Sequence, residues 1–138
     1  MSADWQGTLY LARDFVLLHG QAGATAAHAH YAHQLLISPA APVTVVIEGR
    51  TEVAQCILVE SMREHAIVSA PAPLFTVYAE PLALEAGTLA RFDARAATAD
   101  ALLRELSALP RHASRDNRIV QALAQVDALL DGSASAPA

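Results

Sequence analysis

Residues 28–49 read HAHYAHQLLISPAAPVTVVIEG, two short apolar runs separated by the turn-forming segment SPAAP. The runs HQLLIS and PVTVVIEG are rich in Val, Ile and Leu, a composition typical of β-strands. Similar runs occur on both sides between Thr8 and Tyr78, namely TLYLA, FVLLHG, EVAQCILVE, HAIVSA and LFTVYAE. The intervals between runs are too short for crossover helices, so the pattern predicts mostly antiparallel strands, seven or eight in number, in a sandwich or small barrel.

The hydrophobic period changes after Pro81. The segment PLALEAGTLARF predicts a short helix, because proline is favoured in the first helical turn. The segment TADALLRELSAL predicts a second helix, with Thr98 as N-cap and Asp100 in the first turn, where the helix dipole favours an anion. A third helix is predicted over SRDNRIVQALAQVDALLDG, which ends at a glycine typical of helix C-termini.

These patterns divide the chain into three parts. We expect residues 1–81 to form the β-barrel, residues 82–132 to form a helical extension for dimerisation or linkage, and residues 133–138 to form a flexible tail. The third predicted helix carries an apolar stripe at spacings of four, three and four, which can pack on the barrel or on a second chain. We predict a homodimer joined through this stripe, formed by Ile119, Leu123, Val126 and Leu130.

Composition sets further limits on the class of protein. The 138 residues are 54% hydrophobic and 17% charged, which suits one globular domain. Cys56 is the only cysteine, so an intramolecular disulfide and a cysteine-based zinc site are excluded, and its apolar neighbours indicate a buried thiol. The N-terminus has no signal-peptide pattern and no segment reads as a membrane span, so we expect a soluble, cytoplasmic protein without membrane contact.

The net charge of −5 comes from the first ninety residues, which hold three arginines against eight acidic residues. A surface that binds nucleic acid needs clustered positive charge. We therefore expect no direct contact between this chain and nucleic acid.

Three of the six histidines lie in the segment HAHYAHQ. Side chains alternate across an extended chain, so His28 and His30 share one face, Gln34 has the same parity and His33 the opposite one. Neutral imidazoles are good ligands for divalent transition metals. Three interpretations stay open at this point: a metal site, a proton-transfer site, or structural histidines on a strand.

The segments GATAAHAHYAHQ and VESMREHAIV resemble the two half-motifs of the cupin superfamily, over roughly Gly7 to Pro81. The resemblance implies a mainly β fold, a cupin barrel of the double-stranded β-helix or jelly-roll type, followed here by two or three C-terminal helices. It also implies a divalent transition metal (Zn, Ni, Fe or Mn) held by His28, His30, Gln34 and His65. Cupin enzymes usually have Glu where Gln34 stands, and Pro and Gly where SMRE precedes His65. An amide leaves the charge of the ion uncancelled, so an anion is expected to complete the site.

The order of HAHYAHQLLIS, PVTVVIEG, HAIVS and RDNRIVQALAQVDAL resembles the N-terminal effector-binding half of AraC-type transcription regulators. This resemblance implies a sensor for a small-molecule effector, which the uncancelled charge predicts to be anionic. Tyr31, Phe75 and Tyr78 are candidates to line its pocket. The segment SASAPA after Gly132 leaves no room for a recognition helix, so we expect either the sensor half of a longer regulator or a free-standing single-domain relative. The alternatives are a small metal-dependent cupin enzyme, of dioxygenase or isomerase type, and a binding module without catalysis.

Overall fold

Two antiparallel β-sheets form the framework of the described part of the molecule. The structure, a computed structural model, describes residues 6–21, 23–94, 97–111 and 126. A five-stranded sheet has the order β1-β2-β8-β3-β6 and a three-stranded sheet the order β5-β4-β7. The strands are β1 (Gln6–Leu11), β2 (Phe15–Gln21), β3 (His33–Ile37), β4 (Val43–Ile47), β5 (Arg50–Ala54), β6 (Cys56–Val59), β7 (His65–Ser69) and β8 (Leu74–Ala79).

The predicted mainly β class is confirmed, with one difference in how the strands divide. The single run EVAQCILVE forms two strands, β5 and β6, which separate at Gln55 and belong to different sheets. Between β4 and β5, Glu48 and Gly49 form a two-residue turn in which both have positive φ, 49° and 78°. Such a turn matches the twist of an antiparallel hairpin.

Two cores hold the layers together. One lies between the sheets and is built from Leu36, Val43, Val45, Ile57, Val59, Ile67 and Leu74. The other lies between the opposite face of the five-stranded sheet and the helical region, and includes Phe15, Leu17, Leu35, Ile37, Phe75, Val77, Leu84, Leu89, Leu102 and Leu106. Because β3 and β8 are covered on both faces, their runs are apolar almost throughout rather than alternating.

The expected closed barrel is not what the structure has. Within the described residues, no ladder of strand pairs joins the two sheets into a closed barrel. The loop that follows β2 is rich in Ala, a residue with low strand propensity, and makes only scattered bonds to β7. These include a backbone bond from Thr25 N–H to Ile67 O at 3.0 Å and a bridge between His28 and His65.

The helical region has two described helices, α1 (Ala86–Leu89) and α2 (Ala99–Ala108). The first is shorter than predicted, because the chain after Pro81 forms turns before it. The second follows the prediction, since Thr98 Oγ1 accepts a hydrogen bond from Ala101 N–H at 3.1 Å and Asp100 lies in the first turn. The predicted third helix and the tail lie outside the described residues, apart from Val126, which is helical.

Candidate metal centre

His28 and His30 lie on a loop, not on the strand that their spacing predicted, because β3 begins only at His33. The loop is held against the three-stranded sheet by backbone bonds. His28 and His65 exchange N–H to carbonyl bonds of 2.9 and 2.8 Å, and Met62 N–H donates to His30 O at 2.8 Å. These bonds place both loop imidazoles beside the first residue of β7, His65.

The fourth candidate ligand, Gln34, comes from the other sheet. It is the second residue of β3 and is only 1% exposed. In register it lies beside Tyr78 of β8 and Val59 of β6, on the face that packs towards the three-stranded sheet. The structure therefore brings together all four residues that the cupin resemblance implied, two from a loop and one from each sheet.

The three imidazoles are close enough to share one ion. One nitrogen from each of His28, His30 and His65 lies within 4.8 Å of the others. The ring centroids are 4.3 Å apart for His28 and His65, 4.8 Å for His30 and His65, and 5.5 Å for His28 and His30. With metal–nitrogen bonds of about 2.1 Å, two nitrogens on one ion are roughly 3.0 to 4.2 Å apart. Little movement separates the observed cluster from a coordinating one.

Each imidazole is oriented by a hydrogen bond at its Nδ1 atom. His28 Nδ1 is 2.8 Å from Ala26 O, His30 Nδ1 is 3.0 Å from Ala32 O and His65 Nδ1 is 2.9 Å from Arg63 O. A carbonyl oxygen only accepts, so Nδ1 carries the proton and the lone pair of a neutral ring lies on Nε2. Metal-ligating histidines are commonly fixed in this way by a bond from the other ring nitrogen.

The amide oxygen of Gln34 faces these lone pairs. Gln34 Oε1 is 3.1 Å from His30 Nε2 and 3.0 Å from His65 Nε2, while the amide nitrogen donates to Tyr78 Oη at 3.2 Å. With Nδ1 protonated, this amide orientation joins an acceptor to an acceptor in both contacts. A cation between the atoms or an imidazolium resolves them, and so does the alternative amide orientation, in which the NH2 group donates to both rings and the oxygen accepts from Tyr78. The donor set fits a divalent transition metal.

Electrostatics disfavour a protonated His65. Burial lowers the pKa of His65; the backbone hydrogen bond to Arg63 acts in the opposite direction, and neighbouring His28 and His30 lower it further. A ring that stays neutral keeps its lone pair available to a metal. The four candidate ligands are all uncharged, so a bound ion would keep its full charge and attract an anion.

His33 lies apart from the cluster, as its parity predicted. The Nδ1 atom of His33 accepts a hydrogen bond from Ser61 N–H at 2.9 Å, which ties β3 to the loop after β6. Burial lowers the pKa of His33, although Glu60 and Glu80 act to raise it. The residue is a structural histidine that supports the loop leading to His65.

The three aromatic candidates do not line one pocket. Tyr78 is near the cluster, with its ring 5.5 Å from that of His30. Phe75 lies on the opposite face of β8, in the core under the helices, where it stacks on His19 at 4.0 Å. Tyr31 is 51% exposed and donates its hydroxyl hydrogen bond to Glu80. Phe75 and Tyr78 are three residues apart on β8, so their side chains lie on opposite faces of the sheet. Tyr31 lies on a loop before β3 rather than on an extended strand.

Two polar contacts had no signal in the sequence. Glu80 follows the last strand and receives the bond from Tyr31, and Asp14 forms an ion pair with Arg111. Glu80 is 49 residues from Tyr31, and Asp14 is 97 residues from Arg111. Charged residues at strand ends are usually solvated, so only the fold reveals these partners.

Three residues of the predicted dimerisation stripe, Ile119, Leu123 and Leu130, lie outside the described residues. Val126 is described and is 54% exposed. In the described part of the chain, no helix is long and apolar enough to cross a membrane.

No protein-family model matches the chain, and a search of curated proteins finds no significant match. Among solved structures, the chain is similar to a cupin protein from Bacteroides fragilis, with 16% identity and a TM-score of 0.43. The similarity covers 62% of this chain and 86% of that protein. It assigns no role to any residue described above.

Proposed function

We propose that the chain is a metal-binding, ligand-sensing domain of the cupin type, as found in AraC-type regulators. The main support for the metal site is that Gln34 Oε1 lies 3.1 Å from His30 Nε2 and 3.0 Å from His65 Nε2. Nδ1 hydrogen bonds already orient all three imidazoles for binding through Nε2. When bound, the ion would supply an uncancelled positive charge where the loop residues His28 and His30 lie beside Gln34 and His65.

The sensor role is supported by the position of the helices. Helices α1 and α2 pack on the far face of the same sheet that carries Gln34 and Tyr78, through Leu89, Leu102 and Leu106. A change in β8 at the metal site can therefore reach the helical region through one layer of structure. The sequence resemblance to AraC-type sensor halves supports the same role.

Metal content is the direct test. We expect protein made without a His-tag to contain close to one equivalent of a divalent transition metal by mass spectrometry. The double variant His28→Ala/His30→Ala should lose it, because two of three nitrogen ligands are gone. His19→Ala is the matched control, since His19 stacks on Phe75 away from the cluster and should retain the metal. Substoichiometric metal in the wild-type protein would contradict the proposed metal site.

A charge substitution sharpens the test. Gln34→Glu places a carboxylate where the amide oxygen now points, and it should tighten metal binding by cancelling part of the charge. It should also weaken the binding of carboxylate ligands to the loaded protein, because less positive charge remains to attract them. A thermal-shift series comparing carboxylates with neutral sugars, on both proteins, measures this; a preference for neutral ligands would contradict an anionic effector.

A further inference from the structure

The loop that bears His28 and His30 is hydrogen-bonded on two sides, by backbone bonds on one side and by a side-chain bond on the other. Towards the three-stranded sheet, it makes backbone bonds to His65 and Met62. Towards the five-stranded sheet, the side chain of Tyr31 donates a hydrogen bond to Glu80, which immediately follows β8. Gln34 belongs to the five-stranded sheet, so the Tyr31 bond adds a second attachment between the loop and that sheet, beside the chain connection through residues 31–33.

Glu80 is held firmly enough to act as an anchor. Its backbone N–H donates to Asp14 O at 2.9 Å, and its carboxylate also accepts a bond from Leu82 N–H at 3.3 Å. Its own carbonyl accepts bonds from Ala83 N–H and Leu84 N–H, at 3.0 and 2.9 Å. The anchor is thus part of the turn that leads from β8 into the helical region, where Leu84 is fully buried.

We propose that Tyr31 and Glu80 form a latch that positions the loop ligands over Gln34 and joins the metal site to the turn at residues 81–84. The inference rests on the proposed metal site and adds two positioning residues to it. A bound ion would fix His30 and Gln34 in the arrangement that they already have, with Nε2 and Oε1 3.1 Å apart. Tyr31, the next residue, donates its hydroxyl hydrogen bond to the carboxylate of Glu80, which also accepts a bond from Leu82 N–H in the turn. The hydrogen bond is charge-assisted, and such bonds are stronger than neutral ones.

The first test measures affinity with Co²⁺ as the probe. Removing the hydroxyl in Tyr31→Phe should weaken Co²⁺ binding by about threefold to tenfold, the effect of losing one hydrogen bond to a charged group near the surface. Glu80→Ala should weaken it similarly, and Glu80→Gln, which keeps an acceptor oxygen, should recover most of the loss. The double variant Tyr31→Phe/Glu80→Ala should be no weaker than Glu80→Ala alone, because both changes break one bond.

Matched controls separate the latch from general stability. Tyr10→Phe removes a hydroxyl from β1, and Glu52→Ala removes an exposed carboxylate from β5; both should bind Co²⁺ like the wild type. The second readout is amide hydrogen exchange at Ala83 and Leu84. Co²⁺ should slow this exchange in the wild-type protein and have little effect in Tyr31→Phe.

The outcomes distinguish the latch from the site it serves. Equal Co²⁺ affinity in wild type, Tyr31→Phe and Glu80→Ala would overturn the latch and leave the metal site standing. Exchange at Ala83 and Leu84 that responds to Co²⁺ equally with and without the Tyr31 hydroxyl would also overturn it. Absence of Co²⁺ binding by the wild-type protein would remove both the site and the latch.

Discussion

At the scale of single residues, Cys56 shows how burial sets reactivity. Its thiol hydrogen-bonds to Phe92 O at 3.1 Å, and burial, with a smaller contribution from Asp93, raises the pKa of Cys56 from 9.0 to about 11. The thiolate is the reactive form, so the thiolate fraction at pH 8 falls by about 100-fold. Cys56 is partly buried rather than fully buried as predicted, and its raised pKa makes it a poor nucleophile at neutral pH.

We predict slow alkylation of Cys56 in the folded protein. Higher intrinsic nucleophilicity offsets about tenfold of the lost thiolate, which leaves a rate about tenfold below that of the unfolded chain at pH 8. Iodoacetamide labelling followed by mass spectrometry measures it, with the urea-unfolded protein as control, since the chain has no other cysteine. The folded rate should reach half of its maximum near pH 11; a midpoint near pH 9 would contradict the raised pKa.

The sequence resemblance predicted four candidate ligand residues that lie together in the structure, but how they are placed could not be predicted. The parity of His28, His30 and Gln34, with His33 opposite, agrees with where their side chains lie, although the first two are on a loop. Backbone bonds to β7 produce the same convergence that an extended strand would have given. The contact of Glu80 could not be predicted, because no sequence pattern links a carboxylate after a strand to a tyrosine 49 residues earlier.

At the scale of elements, the end of α2 is fixed by a single arginine. The guanidinium of Arg111 donates to both carboxylate oxygens of Asp14, and also to Leu106 O at 3.0 Å and Leu109 O at 2.7 Å. It therefore caps two carbonyls at the helix C-terminus and ties the helix to the turn between β1 and β2. The side chains of Arg111 and Asp14 are only 31% and 17% exposed.

We predict that Arg111→Met lowers the free energy of unfolding by about 2 kcal/mol, the range for hydrogen bonds to charged groups. Arg111→Lys should recover little, because an ammonium group does not reproduce the planar fork of donors. Arg63→Met is the matched control: the Arg63–Glu60 pair is 4.0 Å apart and more than half exposed, so its loss should cost at most about 0.5 kcal/mol. Urea denaturation compares them, and equal losses would show that the Arg111 contacts are not specific.

Helix and strand boundaries differ in how far the local sequence determines them. Thr98 and Asp100 mark the start of α2 because N-cap and first-turn preferences act within one turn. The division of EVAQCILVE at Gln55 is instead decided by tertiary contacts. Gln55 Nε2 donates to Ser38 O and Pro39 O, and Ser38 N–H donates to Gln55 O, so the chain crosses from one sheet to the other there. No local pattern distinguishes that crossing from a continuous strand.

At the scale of the whole molecule, the homodimer stays a prediction. We expect a dimer at micromolar concentration by light scattering after size exclusion, joined through the stripe at Ile119, Leu123, Val126 and Leu130. The double variant Leu123→Glu/Leu130→Glu should give a monomer, because two carboxylates cannot be buried in an apolar seam. Leu82→Glu, at a residue that is 41% exposed, is the control and should stay dimeric. A dimer unchanged by the double variant would show that the stripe packs within its own chain.

The position of β8 has a consequence for how the chain folds during synthesis. Among the described strands this one is the last in sequence, yet it is the central strand of the five-stranded sheet, paired with β2 on one side and β3 on the other. The β1–β2 hairpin and the β3–β6 pair therefore emerge from the ribosome as two separate half-sheets, and in each the edge that will pair with β8 is still unpaired. Only when Ala79 has emerged can the missing strand be inserted between them, so folding waits for long-range contacts and the exposed edges are at risk of aggregation until then.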